Sequence, residues 1–276
     1  MHYGKTIELF LVDGTADGIV TAELSNWNGK AIKIPRAEVA SCKREDVKSA
    51  GVYFLFCKEN DTDSVYIGEA ENVLERLNQH LRDHQSGKEN YYWNTAVIFI
   101  GRDLNKALIR YLENRFVEMA RENNSYDVLT KNTYKNTVMK ESQVASMEEF
   151  IVNVKILINT LGYKVLESAP QATDDTVYLY CKGSGGEAKG FVSANGFTVL
   201  KGSMVSERMV PSFETRSKTY FILRNKLESN GTIVDRAFTK DYEFSAPSAA
   251  SAVVLGHSSN GNMDWKNDQG TPLKEL

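Results

Sequence analysis

Gly51-Val52-Tyr53-Phe54-Leu55-Phe56-Cys57 and Ser64-Val65-Tyr66-Ile67-Gly68 are the two stretches on which the reading of this chain turns. Both are rich in β-branched and aromatic residues, and the polar turn Lys58-Glu59-Asn60-Asp61-Thr62-Asp63 separates them, so they read as two strands of a hairpin. Side chains alternate across a strand, which sends Tyr53, Leu55 and Cys57 to one face and Val52, Phe54 and Phe56 to the other. Tyr66, on the partner strand, then stands beside Tyr53. Outward from the hairpin, Val73, Leu74, Leu77 and Leu81 recur at helical spacing and predict an amphipathic helix over residues 71–84. A third strand follows at 95–100. Leu108, Leu112, Phe116 and Met119 mark one face of a second helix. A third runs over 147–161 and ends at Gly162, which suits a left-handed cap. Residues 49–166 thus read as a three-stranded antiparallel sheet flanked by helices.

The flanks are of different kinds. Within residues 1–48, short apolar runs at 7–12, 18–24 and 31–34 alternate with Asp13-Gly14 and Asn28-Gly29, dipeptides that suit hairpin turns needing positive φ. This predicts a small N-terminal β-meander, joined onward through Pro35 and Lys43-Arg44-Glu45-Asp46. Residues 167–276 open on a polar stretch containing Pro170. Strands are expected at 176–181, 190–193 and 197–200, the last two joined through Ala194-Asn195-Gly196. A helix over 212–227 stops before Asn230-Gly231, and a shorter one opens at Pro247 and runs to Leu255 ahead of a turn at Asn260-Gly261. The fold class is α/β of the α+β kind, in three parts.

With 276 residues, 42% of them hydrophobic and 25% charged, the chain can bury a sizeable core. Cys42, Cys57 and Cys181 lie far apart with no CxxC pair, which argues against a zinc ribbon or a disulfide framework and fits a reducing cytoplasm. No run approaches the ~18 apolar residues of a membrane span. The net charge of −3 gives no general sign of nucleic acid, so any electropositive footprint is local. The basic stretch lies between Lys182 and Lys226, and Lys182, Lys189, Lys201 and Arg208 are its candidate phosphate contacts. Gly4-Lys5-Thr6 lacks the preceding glycine and strand of a P-loop. His80 and His84 have the i, i+4 spacing of a helical zinc site but no third ligand. Tyr91-Tyr92 and Trp93 serve either core packing or stacking on unpaired bases.

Chemistry gathers in the central block. Arg76 and His80 are four residues apart on the first helix, so they share a face and reach one point together with Tyr53 and Tyr66. On the second helix Glu113 falls between Ile109 and Phe116, against an apolar edge. A carboxylate buried there without a partner costs several kcal/mol, so it calls for a cation or an arginine. A hard divalent ion such as Mg²⁺ suits it, because Mg²⁺ favours oxygen ligands and often takes only one or two protein carboxylates.

In this order the residues resemble a known family. Gly51-Val52-Tyr53 is similar to the GIY motif with Val for Ile, and Tyr66-Ile67-Gly68 matches the YIG motif. Arg76, His80, Glu113 and Asn132 fall where GIY-YIG nucleases have their functional arginine, histidine, glutamate and asparagine. The resemblance implies hydrolysis of a DNA phosphodiester by water, with Mg²⁺ or Mn²⁺ held at Glu113. It further implies Arg76 on the transition state, Tyr53 as base or water-positioning group, Tyr66 and His80 in support, and Asn132 ordering a loop or touching DNA. Residues 190–276, with Phe244-Ser245-Ala246-Pro247 and Asn260-Gly261-Asn262-Met263-Asp264-Trp265, resemble a C-terminal domain of unsettled function that accompanies such nucleases. DNA targeting and protein interaction or dimerisation are the two roles open to it, and a homodimer stays open with them. Two other readings stand beside the nuclease: a non-cutting nucleic-acid-binding module on the same scaffold, and a phosphodiesterase acting on RNA or a nucleotide.

Overall fold

The computed structural model describes residues 4–59, 62–123, 125–131, 133, 138–167, 172–173, 175–183, 185–194 and 196–276. Asn132, the turn residues Asn60, Asp61 and Asn195, and Pro170 lie outside them. The chain divides into two compact units, Met1–Ser168 and Ala169–Leu276.

In the first unit the elements run β1 (Ile7–Leu11), β2 (Val20–Leu24), β3 (Gly29–Pro35), α1 (Arg36–Val39), β4 (Gly51–Glu59), β5 (Thr62–Ala70), α2 (Val73–Gln85), β6 (Thr95–Gly101), α3 (Lys106–Asn123), β7 (Asp127–Val128) and α4 (Glu141–Thr160). The expected three-stranded core is β6-β4-β5, but the sheet is wider: its seven strands lie in the order β1-β2-β3-β6-β4-β5-β7. All neighbours pair antiparallel except β5 with β7. The N-terminal meander, expected as a segment of its own over 1–48, joins this sheet along β3, from Gly29↔Gly101 to Pro35↔Thr95. The reason lies in β6, where Ala96 to Ile100 are all buried. A strand so enclosed needs hydrogen-bond partners on both edges, and β4 supplies only one.

Both faces of the sheet are covered. Val52, Phe54, Phe56 and Phe99 pack with Leu112 and Phe116 of α3 and with Ile151 and Val154 of α4. On the opposite face Tyr53, Leu55, Cys57 and Ile98 pack with Val73 and Leu77 of α2 and with Trp93. The two faces therefore divide β4 as its alternation predicts. Gly162 takes the expected left-handed conformation, φ +94°, just past α4. Gly14 has φ +70°, as the first hairpin turn requires, but Gly29 is not among the described residues with positive φ. A Cβ on Gly29 would run into the Trp27 ring, so this glycine serves a close approach and not a turn. Among the described residues no helix is long and apolar enough to cross a membrane.

The second unit holds β8 (Leu179–Gly183), β9 (Gly186–Ser193), β10 (Gly196–Val199), α5 (Phe213–Arg216), α6 (Lys218–Ser229), β11 (Ile233–Val234), β12 (Ala237–Phe238), β13 (Tyr242–Phe244), α7 (Pro247–Leu255) and α8 (Gly261–Asp264). Its main sheet has the order β13-β10-β9-β8. The helix α7 is buried from Ala249 to Leu255 and packs on that sheet. Trp265 is buried beside Phe197, ring centroids 4.3 Å apart, and its indole N–H donates to the Pro247 carbonyl at 3.0 Å. The helix expected over 212–227 is two helices, because Ser217, at φ −135° and ψ 43°, leaves the helical region between them. Arg224 of α6 is buried and donates to the carbonyls of Ser206 (2.8 Å) and Val253 (3.1 Å).

Candidate active site

The hairpin register puts Tyr53 opposite Gly68 and Leu55 opposite Tyr66. The two phenols are therefore diagonal neighbours on one face, with ring centroids 6.3 Å apart and planes 26° from parallel. Gly68 is what lets them sit there. A Cβ on it would come within 2.6 Å of Tyr53 Cζ and 3.0 Å of Tyr66 Cε1. The helix α2 starts directly after β5, and the Asn72 side chain caps it by accepting from the Glu75 N–H at 3.1 Å. One turn in, Arg76 Nε donates to Tyr53 Oη at 3.3 Å. One turn further, His80 Nε2 lies 2.9 Å from the same oxygen. The other ring nitrogen, His80 Nδ1, lies 2.6 Å from Glu89 Oε1.

Burial governs the protonation of this group. Tyr53 is 1% exposed, and desolvation pushes its phenol well above the ordinary value, reinforced by Tyr66 and opposed by Arg76. Tyr66 is raised for the same first reason. Burial, with the charges of Arg76 and Arg36, pushes the His80 imidazole down to about 3, so the ring is neutral and its contact with Glu89 is a hydrogen bond, not an ion pair. Arg36 is held nearby, its guanidinium 4.5 Å from the Tyr92 ring centre and 4.7 Å from that of Trp93.

Glu113 comes from α3, on the far side of the same cavity. It is buried, and its Oε2 has no hydrogen-bond partner among the described residues. Among the described residues its neighbouring arginines are engaged elsewhere: Arg110 Nε lies 3.7 Å from Glu69, and Arg115 bonds Glu148 and Glu118. Burial, and then the charge of Glu69, pushes the Glu113 carboxyl up to about 7. Lys106 binds Glu69 at 2.8 Å. Tyr53, Tyr66, Arg76, Glu113, Glu69 and Lys106 all line one open cavity of about 780 Å³, and His80 stands behind its wall. Cavities of about 800 Å³ beside Trp27 and Phe150, and of about 540 Å³ beside Tyr180 and Asp264, contain none of the five central site residues.

Tyr53, Tyr66, Arg76, His80 and Glu113, singled out by type and spacing, are thus brought together. Asn132 lies outside the described residues. Trp93 is core, Tyr91 stacks on Tyr66 at 5.7 Å, and Tyr92 is exposed. Of the basic residues in the second unit, Lys182 pairs with Glu187 at 2.8 Å and Lys189 lies 3.8 Å over the Tyr178 ring. Lys201 and Arg208 are exposed. Glu69, Lys106 and Glu89 escaped sequence reasoning. Glu69 carried one signal, its position next to Gly68, whereas Glu89 belongs to no periodic segment.

Residues 49–127 match the family model of the GIY-YIG catalytic domain, and residues 179–276 match that of a Domain of unknown function (DUF4357). No curated protein and no solved structure matches the chain.

Proposed function

We propose that this chain, which carries a GIY-YIG catalytic domain and so is of nuclease type, is a divalent-metal-dependent endonuclease that hydrolyses DNA phosphodiester bonds. The observation that carries the reading is the single cavity in which the Tyr53–His80–Arg76 cluster is gathered with a Glu113 carboxylate oxygen that has no partner among the described residues.

The donor set suits a hard divalent cation, Mg²⁺ or Mn²⁺. Glu113 would hold it through the buried oxygen that lacks a partner, with waters and phosphate oxygens completing the shell. The charge balance points the same way: Glu69, Glu71, Glu75 and Glu113 line the cavity against Arg76 and Lys106, an excess of negative charge that repels a polyanion unless a cation intervenes. When bound, such an ion offsets negative charge on the phosphate and the leaving oxygen.

The chain's own residues do the rest. Arg76 presents a planar fork of donors to the equatorial phosphate oxygens, where charge grows in the transition state. Tyr53 orients the attacking water and takes its proton. A free phenolate is out of reach for so buried a tyrosine, so Tyr53 must give up its own proton in the same step, and His80 Nε2 is 2.9 Å away to receive it. Tyr66 packs beside both and fixes the water's side of the cavity. In the second unit, the exposed Lys201 and Arg208 support a role in holding DNA through its phosphates. Lys182 and Lys189 contribute less, since each already has a partner.

The test is nicking of supercoiled plasmid by the full chain with Mg²⁺ or Mn²⁺, beside Glu113→Ala and an RNA substrate. Metal-dependent nicking lost in the variant is expected. Equal behaviour of wild type and variant across metals and DNA forms overturns the catalytic reading, and cleavage confined to RNA overturns the choice of polymer.

A further inference from the structure

We propose that Glu89 is a positioning residue that locks His80 in the Nδ1–H tautomer, leaving Nε2 as the acceptor of the Tyr53 proton. The catalytic consequence rests on the nuclease reading, but the tautomer itself does not.

Hydrogen-bond accounting carries the argument. The Tyr53 oxygen accepts from Arg76 Nε at 3.3 Å, and its one hydroxyl proton needs an acceptor, since the residue is 1% exposed. Among the described residues, His80 Nε2, at 2.9 Å, is the one neighbour bonded to that oxygen that is able to accept. An accepting Nε2 places the ring's proton on Nδ1, where Glu89 Oε1 lies at 2.6 Å. The charged groups that bear on His80 are Arg76, one turn back on its own helix α2, and Arg36 of α1, and both disfavour a charged ring. Tyr53 and Tyr66 face its edge, with centroids 5.6 and 5.2 Å away. Glu89 is thus, among the described residues, the one carboxylate bonded to the ring, on the nitrogen opposite the one that meets Tyr53.

In turnover, the proton of the attacking water passes to the Tyr53 oxygen as the Tyr53 proton passes to His80 Nε2. The water's oxygen forms the new bond to phosphorus, and the bond to the leaving oxygen breaks. The resulting imidazolium donates to Glu89 from Nδ1 until Nε2 returns its proton to Tyr53 as Tyr53 releases one into the cavity water, and the leaving oxygen takes a proton from solvent. Without Glu89 the ring is free to put its proton on Nε2. It then offers Tyr53 a second donor where an acceptor is needed.

The test is long-range ¹H–¹⁵N NMR of the full chain labelled at its four histidines, together with single-turnover nicking. The expected wild-type signal for His80 has Nδ1 protonated and Nε2 bare. Glu89→Ala shifts the ring toward the Nε2–H form and lowers kcat roughly 100-fold with KM little changed. Should Glu89→Ala not fold, Glu89→Gln keeps the tautomer through its amide oxygen and lowers kcat about tenfold through the lost charge. A wild-type ring protonated on Nε2, or either variant at wild-type kcat in an active enzyme, overturns the proposal. A wild type inert toward every nucleic acid overturns the nuclease reading instead, and the ring signals still decide the role of Glu89.

Discussion

Replacing Gly68 by alanine sets two effects against each other on the strand that faces Tyr53. Alanine in a strand interior restricts the unfolded chain and is worth about 0.5–1 kcal/mol over glycine. Against it stands the new Cβ, 2.6 Å from Tyr53 Cζ and 3.0 Å from Tyr66 Cε1, with the Tyr53 hydroxyl in contact as well. Carbon atoms rest at roughly 3.5–4 Å, so the Tyr53 ring must retreat by about 1 Å. It has nowhere to go: the residue is buried, and His80 closes the far side at 2.9 Å. Overpacking of this kind costs about 1–3 kcal/mol, which outweighs the entropic gain and leaves Gly68→Ala about 1 kcal/mol less stable. The catalytic effect is larger, since displacing a reacting group by 1 Å costs on the order of 100-fold in rate. Urea unfolding reads the first number, and single-turnover plasmid nicking with Mg²⁺ reads the second. A variant as stable as wild type that nicks within threefold of its rate would refute the claim that Gly68 sets the position of the phenol.

Other substitutions probe the remaining parts. Burial pushes Glu113 up to about 7, above the ordinary carboxyl value of 4.5, so the native state holds this proton more tightly than the unfolded chain does. Stability of the metal-free protein should therefore fall as pH rises from 4.5 to 7, and Glu113→Gln should remove that fall, about 3 kcal/mol, in urea melts run in EDTA. Mg²⁺ should then raise the melting temperature of wild type and leave that of Glu113→Gln unmoved. Tyr53→Phe strands His80 Nε2 and Arg76 Nε, and should cost roughly 10²- to 10⁴-fold in kcat with about 1–3 kcal/mol of stability. Lys201→Ala with Arg208→Ala should flatten the slope of log affinity for DNA against log salt by about 2, measured by fluorescence anisotropy; an unaltered slope removes both from the DNA surface. Arg224→Leu leaves two buried carbonyls unpaired, and should destabilise the second unit by about 3 kcal/mol in denaturant.

The parts of this molecule legible in the sequence are those whose cause is local. Alternation in β4 sorts Tyr53 from Phe54, helical spacing aligns Arg76 with His80, and Gly162 marks the end of α4, because each depends on neighbours a few residues away. Strand order does not. Nothing in residues 29–35 says that β3 pairs with β6 across the 59 residues, 36–94, that separate them; that follows from the need of β6 for a second partner. The helix expected over 212–227 contains no glycine or proline to mark a break, so the departure of Ser217 from helical angles carries no turn signal in the sequence. Charges were hardest to judge. Lys182 reads as a basic surface residue until the β8–β9 register sets it opposite Glu187, and Glu113 reads as paired until Arg110 is found at Glu69. Glu89 is invisible for a related reason: it lies in an irregular stretch, and its meaning comes from where His80 points.

The continuity of the wide sheet also limits how the catalytic part can be cut out and moved. A fragment trimmed to residues 49–127 loses β1, β2 and β3 on one side and α4 on the other. It would leave the β6 edge bare from Thr95 to Gly101 and remove Ile151 and Val154 from the core cluster that holds Phe54, an open edge beside a less covered apolar face that invites strand-to-strand aggregation. Fusions and transplanted versions of this domain therefore need the whole of Met1–Ser168 as their exchangeable part.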